Sequence, residues 1–432
     1  MENDQEKLFA KTLIICAQGD SKLLDAYFFS IDPRFFSLFF ASSYNKPWPK
    51  CSTAYQISDF DVFQRLVHPN KTDCGSIINP ASDRFVPAFK KNKSSFFKIK
   101  NKHTPLSFFA RKFLWKYKRW YTKELDQWIE AFKPQCIFLY FFNDTNMLDI
   151  ADFFSKKYDL PIIVSINDDF LYNHSFSFDP LELIKRSVYS RSAKRILLNP
   201  RNSFVFINDE IADVYKHRLG IEGSVIHLSS EASFKKLPKP KAIRDIIYAG
   251  SLDYHRWSTI QTFAKACLKE KANIIINVYT FEKYKKELKS LRRFPNICIR
   301  PAIRSDEVPN TISKYDAVLL VEALTNRSAI RDVRYSLSTK TADSLASGKL
   351  CIGLGNKACG EMKYLSKNNC SLVATSKKEI IEIIRKCLLN NDYDWTLISQ
   401  NAENCIKRDF SIQKNSKIIK EIFKKTEKNC PK

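Results

Sequence analysis

FKKLPKPKAIRDIIYAG, residues 234–250, is where the chain starts over. Its first part, FKKLPKPKAI (234–243), has no apolar period and sets two prolines among lysines, so it reads as a linker. Its second part, DIIYAG (245–250), is a short apolar run that stops at a glycine, the pattern of a strand ending in a tight turn. Beyond it the pattern alternates. A helix is read over 258–268, a strand at NIIINVYT (273–280) and a helix over 283–291. NICIR (296–300), a short helix near 306–313 and DAVLLVE (316–322) follow. A helix over 339–347, strands KLCIGL (349–354) and CSLVA (370–374), and a helix over 377–390 complete the series. Near-continuously apolar strands separated by helices predict a parallel sheet covered on both faces.

The same alternation runs ahead of the linker. Strands are read at KTLIIC (11–16), FFSLFFA (35–41), CIFLYFF (136–142), PIIVSI (161–166), FVFI (204–207) and SVIHL (224–228). Helices are read over 147–158, 181–198 and 209–219. One long helix over 105–132 is expected from Phe109, Phe113, Trp120, Leu125, Trp128 and Phe132, which fall close to a 3.6-residue period. Two such series around one Pro/Lys hinge predict an α/β protein with two Rossmann-like domains facing each other across a cleft. The expected boundaries are 1–233, 234–410, and a C-terminal helix and tail over 411–432 that crosses back to the first domain.

Composition narrows the function. The 432 residues hold 71 Lys+Arg against 46 Asp+Glu, a net charge of +25, which calls for an anionic partner. Residues 235–432 carry +19 of that excess and residues 1–234 only +6. Nine glycines exclude Gly-rich architectures and imply that each glycine stands where the backbone needs it. Twelve cysteines form no CxxC pair and several lie in apolar runs, so buried reduced thiols are expected. Six histidines make no HxxxH or HExxH, and no metal site is expected. The acidic N-terminus lacks a signal-peptide pattern and no run reaches the ~20 apolar residues of a membrane span, so a cytoplasmic protein is expected.

Motifs then select among phosphate ligands. The one GxG, Gly353-Leu-Gly355, has Ala358 in place of a third glycine and lies deep in the second series, with no helix read after it. It therefore does not predict a dinucleotide site, and a GKS/GKT P-loop is absent. IIYAGSLDYHRW (246–257) puts Gly250 and Ser251 at a strand's carboxyl end, where ligands of open α/β sheets bind, with Arg256 at the start of the next helix. YSLSTKTADSLASGKLCIGLG (335–355) sets Ser338 and Thr339 before a helix whose first turn includes Lys340 and Asp343. Helix-start N–H groups and Lys340 suit a diphosphate, and Asp343 suits ribose hydroxyls. An ordinary capped helix and a tight turn with a surface arginine are the plain alternatives.

Taken together, "IIYAGSL…R" and "S-x-S-T-K-x-x-D-x-L-A-S-G-K" resemble the donor-binding half of GT-B glycosyltransferases of the family 4 (group 1) type. PNICIRPAIRSDEVPNTISKYDAVLLV (295–321) is similar to the stretch that such enzymes use to reach the nucleotide base. KELDQWIEAFKPQCIFLYFFN (123–143), KKYDLPIIVSINDDF (156–170) and 188–221 resemble their acceptor-side domain. The resemblance spans about residues 105–410 and rests on the order of its parts. It implies transfer of a sugar from a UDP-, GDP- or dTDP-sugar, with no cofactor and no bound metal. By position it implies Gly250 and Ser251 under the donor phosphates, Arg256 and Lys340 as the diphosphate cations, and Asp343 where the family usually has a ribose-binding Glu. The family's paired-Glu motif expects another Glu where Tyr335 stands, and its Gly-rich turn is SLST here.

In the first domain, Asn167-Asp168-Asp169 ends a strand, and Asp168 or Asp169 is a candidate to orient or deprotonate the acceptor hydroxyl. An Asx turn is the expected role of at least one of the two. Asp59-Phe-Asp61 and Asp392-Tyr-Asp394 match a DxD metal motif too loosely to carry an assignment. Residues 84–123 contain 13 Lys/Arg and no Asp or Glu, interleaved with aromatics. The part before the helix reads as contact with an anionic membrane, through Phe96, Phe97, Lys98 and Lys100. An ordinary amphipathic helix with a solvated basic face over 105–132, or a single-stranded nucleic-acid surface, are the alternatives. The expectation is a glycosyltransferase of bacterial cell-surface polysaccharide assembly, acting on a glycan or lipid-linked acceptor, with no nucleic-acid partner. A GT-B-like nucleotide-sugar-binding protein without turnover and a basic nucleic-acid-binding protein are the alternatives.

Overall fold

The structure, a computed structural model, describes residues 9–17, 22–28, 31–41, 47–68, 70, 72–80, 104–172, 177–229, 233–304 and 307–427. The chain divides into two compact units, one of Met1–Ile226 with Asn415–Lys432 and one of His227–Lys414.

In the first unit, β1 (Thr12–Cys16), α1 (Lys22–Phe28), β2 (Phe36–Ala41), β3 (Thr53–Ile57), α2 (Asp59–Val67) and β4 (Ser76–Ile78) come first. Helices α3 (Pro105–Leu114) and α4 (Lys123–Phe132) lead to β5 (Cys136–Phe141), α5 (Thr145–Lys157), β6 (Ile162–Ile166), α6 (Pro180–Leu197), β7 (Ser203–Phe206), α7 (Asp209–Leu219) and β8 (Ser224–Val225). The sheet order is β4-β3-β2-β1-β5-β6-β7-β8, with only β4 antiparallel. β1 and β6 are buried along their whole length, which is why their sequences read as unbroken apolar runs. Rings fill the space beside β1, with Phe28 4.6 Å from Phe36 and 4.9 Å from Phe138. The last helix, α16 (Ile412–Glu427), brings Phe423 to 5.9 Å from Phe9 and Thr426 to hydrogen-bonding distance of Ser203.

The single helix expected over 105–132 is two helices. The chain turns over between them through Tyr117 (φ 59°) and Lys118 (φ 54°), and Arg65 holds the turn by donating to the carbonyls of Arg119 and Tyr121 at 2.8 Å. Thr122 then caps α4 by accepting from the Leu125 amide. Trp120, Leu125 and Trp128 are buried as the period implies, whereas Phe113 is 57% exposed.

The second unit contains β9 (Asp245–Ala249), α8 (Arg256–Lys269), β10 (Ile275–Thr280), α9 (Lys285–Leu291), β11 (Ile297–Pro301), α10 (Val308–Ile312), β12 (Ala317–Val321) and α11 (Arg327–Asp332). It continues through α12 (Thr341–Ala346), β13 (Leu350–Leu354), α13 (Gly360–Asn368), β14 (Leu372–Ala374), α14 (Lys377–Ile383) and α15 (Trp395–Asp409). Its six strands are all parallel, in the order β11-β10-β9-β12-β13-β14. The order reverses between β9 and β12, so the carboxyl ends of these two strands flank the switch point where open α/β sheets bind ligands. A helix does follow Gly353-Leu-Gly355, starting at Gly360, where none was read.

The eleven cysteines among the described residues are free, nine of them buried. No helix among the described residues is long and apolar enough to cross a membrane.

Candidate functional site

At the switch point of the second unit, β9 runs out into Gly250, whose amide donates to the Tyr279 carbonyl of β10 at 2.9 Å. The turn beyond it passes through two left-handed residues, Tyr254 (φ 55°) and His255 (φ 57°), before Arg256 opens α8. Side chains other than glycine and asparagine resist that conformation by ~1 kcal/mol or more each. The strained turn aims Arg256 back over the strand ends. Its Nε donates to the Val321 carbonyl at 3.1 Å, and its Nη1 donates to Ser251 Oγ at 3.1 Å. Toward Glu322, just past β12, it is bidentate: Nη2 to Oε1 at 2.8 Å and Nε to Oε2 at 3.1 Å. Glu322 is 2% exposed, and its charge holds the Arg256 guanidinium well above its ordinary range despite the opposing effect of burial.

From the other side comes Lys340, immediately before α12. Its ammonium lies against the space above Gly250, where an added Cβ would fall 2.3 Å from Nζ. The Tyr248 ring is 5.7 Å away. Burial, and after it the charge of Arg256, pushes the Lys340 ammonium down to about 8. Among the described residues no carboxylate pairs with it. The fourth member is Glu361, second residue of α13 and 1% exposed, whose Oε1 accepts from the Thr341 hydroxyl at 2.6 Å. Burial and the Glu322 charge push its carboxyl up to about 7. Gly355 leaves room for this arrangement, since a Cβ there would meet Glu322 Cβ at 2.9 Å.

Gly250, Ser251, Arg256 and Lys340 thus converge, as the sequence suggested. The helix after Lys340 differs from expectation. It starts at Thr341 and has six residues, and Ser338 is occupied with its own turn: its hydroxyl accepts from the Lys340 amide and its carbonyl from the Thr341 amide. Thr339 is exposed beside it, and Asp343 is buried in the first turn of α12. A six-residue helix whose Thr341 amide is already engaged adds little to anion binding, so the charge at this site comes from side chains. The sequence reading missed Glu322 and Glu361. A carboxylate closing an apolar strand (DAVLLVE) was the only available sign of the first. The second needed the unread helix α13.

In the first unit, Asn167 is locked in a buried network, accepting from Tyr27 Oη at 3.2 Å and donating to Ser165. Asp168 is half-buried at the end of β6. Asp169 is 7% exposed, and its Oδ1 accepts from the Tyr172 amide, three residues on, at 2.9 Å. Its Oδ2 has no hydrogen-bond partner among the described residues, and burial pushes its carboxyl up. The DxD pairs serve structure: Asp59 accepts from Arg111 and Trp115, Asp61 closes the capping box of Ser58, and Asp394 caps α15. Phe96, Phe97, Lys98 and Lys100 lie outside the described residues.

No family model matches the chain, and no curated protein matches it. Solved structures do. Anabaena HepE in complex with UDP-glucose aligns with TM-score 0.60 at 12% identity, covering 95% of this chain and 98% of that one. A glycosyltransferase from Rickettsia africae aligns with TM-score 0.54 at 11% identity, over 96% and 98%. WaaG, a glycosyltransferase involved in lipopolysaccharide biosynthesis, aligns with TM-score 0.53 at 10% identity, over 94% and 99%. At such identity the likeness is one of fold, and the fold is GT-B.

Proposed function

We propose that this chain is a glycosyltransferase that takes a sugar from a nucleotide-diphosphate donor held by its second unit. The observation that carries the reading is the convergence of Arg256 and the half-buried Lys340, which no carboxylate among the described residues pairs, over Gly250 at the β9/β12 switch point. Two cations in a water-poor pocket offset the charge that grows on the departing diphosphate as the glycosidic bond breaks. Gly250 lets the backbone approach a phosphate, Ser251 and Ser338 offer hydroxyls beside it, and Asp343 takes the ribose. Asp168 or Asp169 orients or deprotonates the acceptor hydroxyl, the raised carboxyl of Asp169 fitting it better for proton abstraction. Nothing in this scheme calls for a metal ion.

The reading extends to a hexosyl donor and a growing, lipid-linked glycan of bacterial cell-surface polysaccharide, handled at the inner face of the plasma membrane. Phe113 and the 70%-exposed Tyr117 support the membrane contact, with Arg119 stacked 5.4 Å and 5.3 Å from their rings and Lys116 4.7 Å from Tyr117. Isothermal titration with UDP and GDP tests the donor assignment. Binding by wild type that is lost in Lys340→Ala is expected; no binding by wild type, or unchanged binding in the variant, overturns it.

One observation favours a second reading, a nucleotide-sugar-binding protein without turnover: Glu322 already occupies two of the Arg256 donors. Such a protein binds donor and releases no sugar, which a donor-hydrolysis assay detects.

A further inference from the structure

The two cations of the second unit share their pocket with two buried carboxylates that stand in different states. Glu322 is matched, in two hydrogen bonds, by Arg256. Among the described residues Glu361 hydrogen-bonds the Thr341 hydroxyl alone, and no cation comes within ion-pairing distance of it. The charged and titratable groups that face it are Lys340 before α12, Arg256 at the start of α8, Glu322 after β12, Tyr248 on β9, Cys351 on β13 and Cys359 before α13. In the middle of α13, Tyr364 donates to Asp409 of α15 instead. With Arg256 and Glu322 cancelling, the charge that an incoming anion meets is that of Lys340 plus that of Glu361.

We propose that Glu361 is a positioning residue for this anion site and carries its proton switch: neutral, it fixes Thr341 and leaves the pocket cationic; ionised, it cancels Lys340 and weakens diphosphate binding. The inference rests on the donor reading above and adds a titrating group to it. Burial beside Glu322 is what brings Glu361 into the neutral range, because a carboxylate removed from water without a cation favours its protonated form. Linkage sets the sign. An anion entering the pocket stabilises neutral Glu361, so binding takes up a proton, and affinity falls as pH rises through about 7.

The test uses UDP-glucose and GDP-mannose, whose diphosphate diesters keep a constant charge over this range, titrated into the full-length protein between pH 6 and 7.5. Wild type is expected to lose about fivefold in affinity across that window, the effect of one partly screened unit charge in the pocket. It is also expected to take up a fraction of a proton on binding, read from the dependence of the heat on buffer ionisation. Glu361→Gln, which keeps the acceptor for Thr341, is expected to bind close to the low-pH wild-type affinity below pH 7 with no proton uptake there; uptake and loss of affinity that set in toward pH 8 belong to Lys340. An identical pH slope in both proteins, or no proton uptake by wild type, overturns the proposal while leaving donor binding intact. Absence of binding to either nucleotide-sugar at every pH removes the donor reading and this inference with it. If Glu361→Gln does not fold, the pH at which wild-type proton uptake is centred decides: uptake centred near 7 supports Glu361, and uptake seen only toward pH 8, where Lys340 titrates, overturns the proposal.

Discussion

Lys340 fills the space that a side chain on residue 250 would take: a Cβ built on Gly250 lies 2.3 Å from Lys340 Nζ and 2.7 Å from Cε. The contact is with the flexible tip of a lysine and not with backbone. Gly250→Ala is therefore expected to swing the ammonium aside while leaving the fold intact. Nucleotide-sugar affinity should drop about tenfold, equivalent to ~1.4 kcal/mol, with a melting temperature close to wild type. Titration calorimetry and a thermal melt on the same sample check both halves.

A buried carboxylate in the first unit predicts the reverse, lost function with gained stability. Asp169 has its carboxyl raised by burial, so its neutral form is favoured in the fold. Its contribution is present at low pH and is lost as pH rises through the folded value, leaving an ionised group that costs stability at pH 7. Asp169→Asn keeps the acceptor for the Tyr172 amide and removes the charge. A gain of about 1 kcal/mol is expected at pH 7 from urea denaturation, vanishing below the ordinary aspartate range. Sugar transfer should be lost in the same variant, if Asp169 is the acceptor's base.

Two glycines with nearly the same backbone separate strain from collision. Gly348 (φ +67°) follows α12, and a Cβ there would fall 1.7 Å from the Lys235 carbonyl oxygen of the linker. Gly220 (φ +68°) caps α7 with nothing within 4 Å. Gly220→Ala should cost about 1 kcal/mol, the strain alone. Gly348→Ala should cost at least about 3 kcal/mol, because backbone must move as well. Urea midpoints of the two variants measure the difference.

Phe113 and Tyr117 stand on the exposed side of α3 and the turn after it, with Arg119 against both rings. Replacing both with serine should lower flotation with phosphatidylglycerol vesicles by severalfold and leave stability within about 0.5 kcal/mol of wild type. Equal flotation of variant and wild type would remove this face from the membrane model.

Much of the fold was legible because parallel strands buried on both faces have to be apolar throughout. DIIYA, AVLLV and LCIGL declare themselves in that way. Elements with mixed composition did not. TAYQI forms β3 and GEMKYLSKN forms α13, and both depend on neighbours for their burial. The period across 105–132 was correct for the buried tryptophans and silent about the reversal at Tyr117 and Lys118, because left-handed backbone outside glycine has no strong local signature.

The sequence by itself determined the two αβ series, the linker between them, and the cations and glycines of the second, since each follows from local pattern and residue chemistry. Only the tertiary structure decided the charge of the site. Whether Arg256 is free or paired, and whether Glu361 is ionised or neutral, depends on which strand ends meet at the β9/β12 switch point and how much water remains there. Electrostatic energy is set by distance and burial between residues far apart in the chain, and neither quantity is written in a local stretch of sequence.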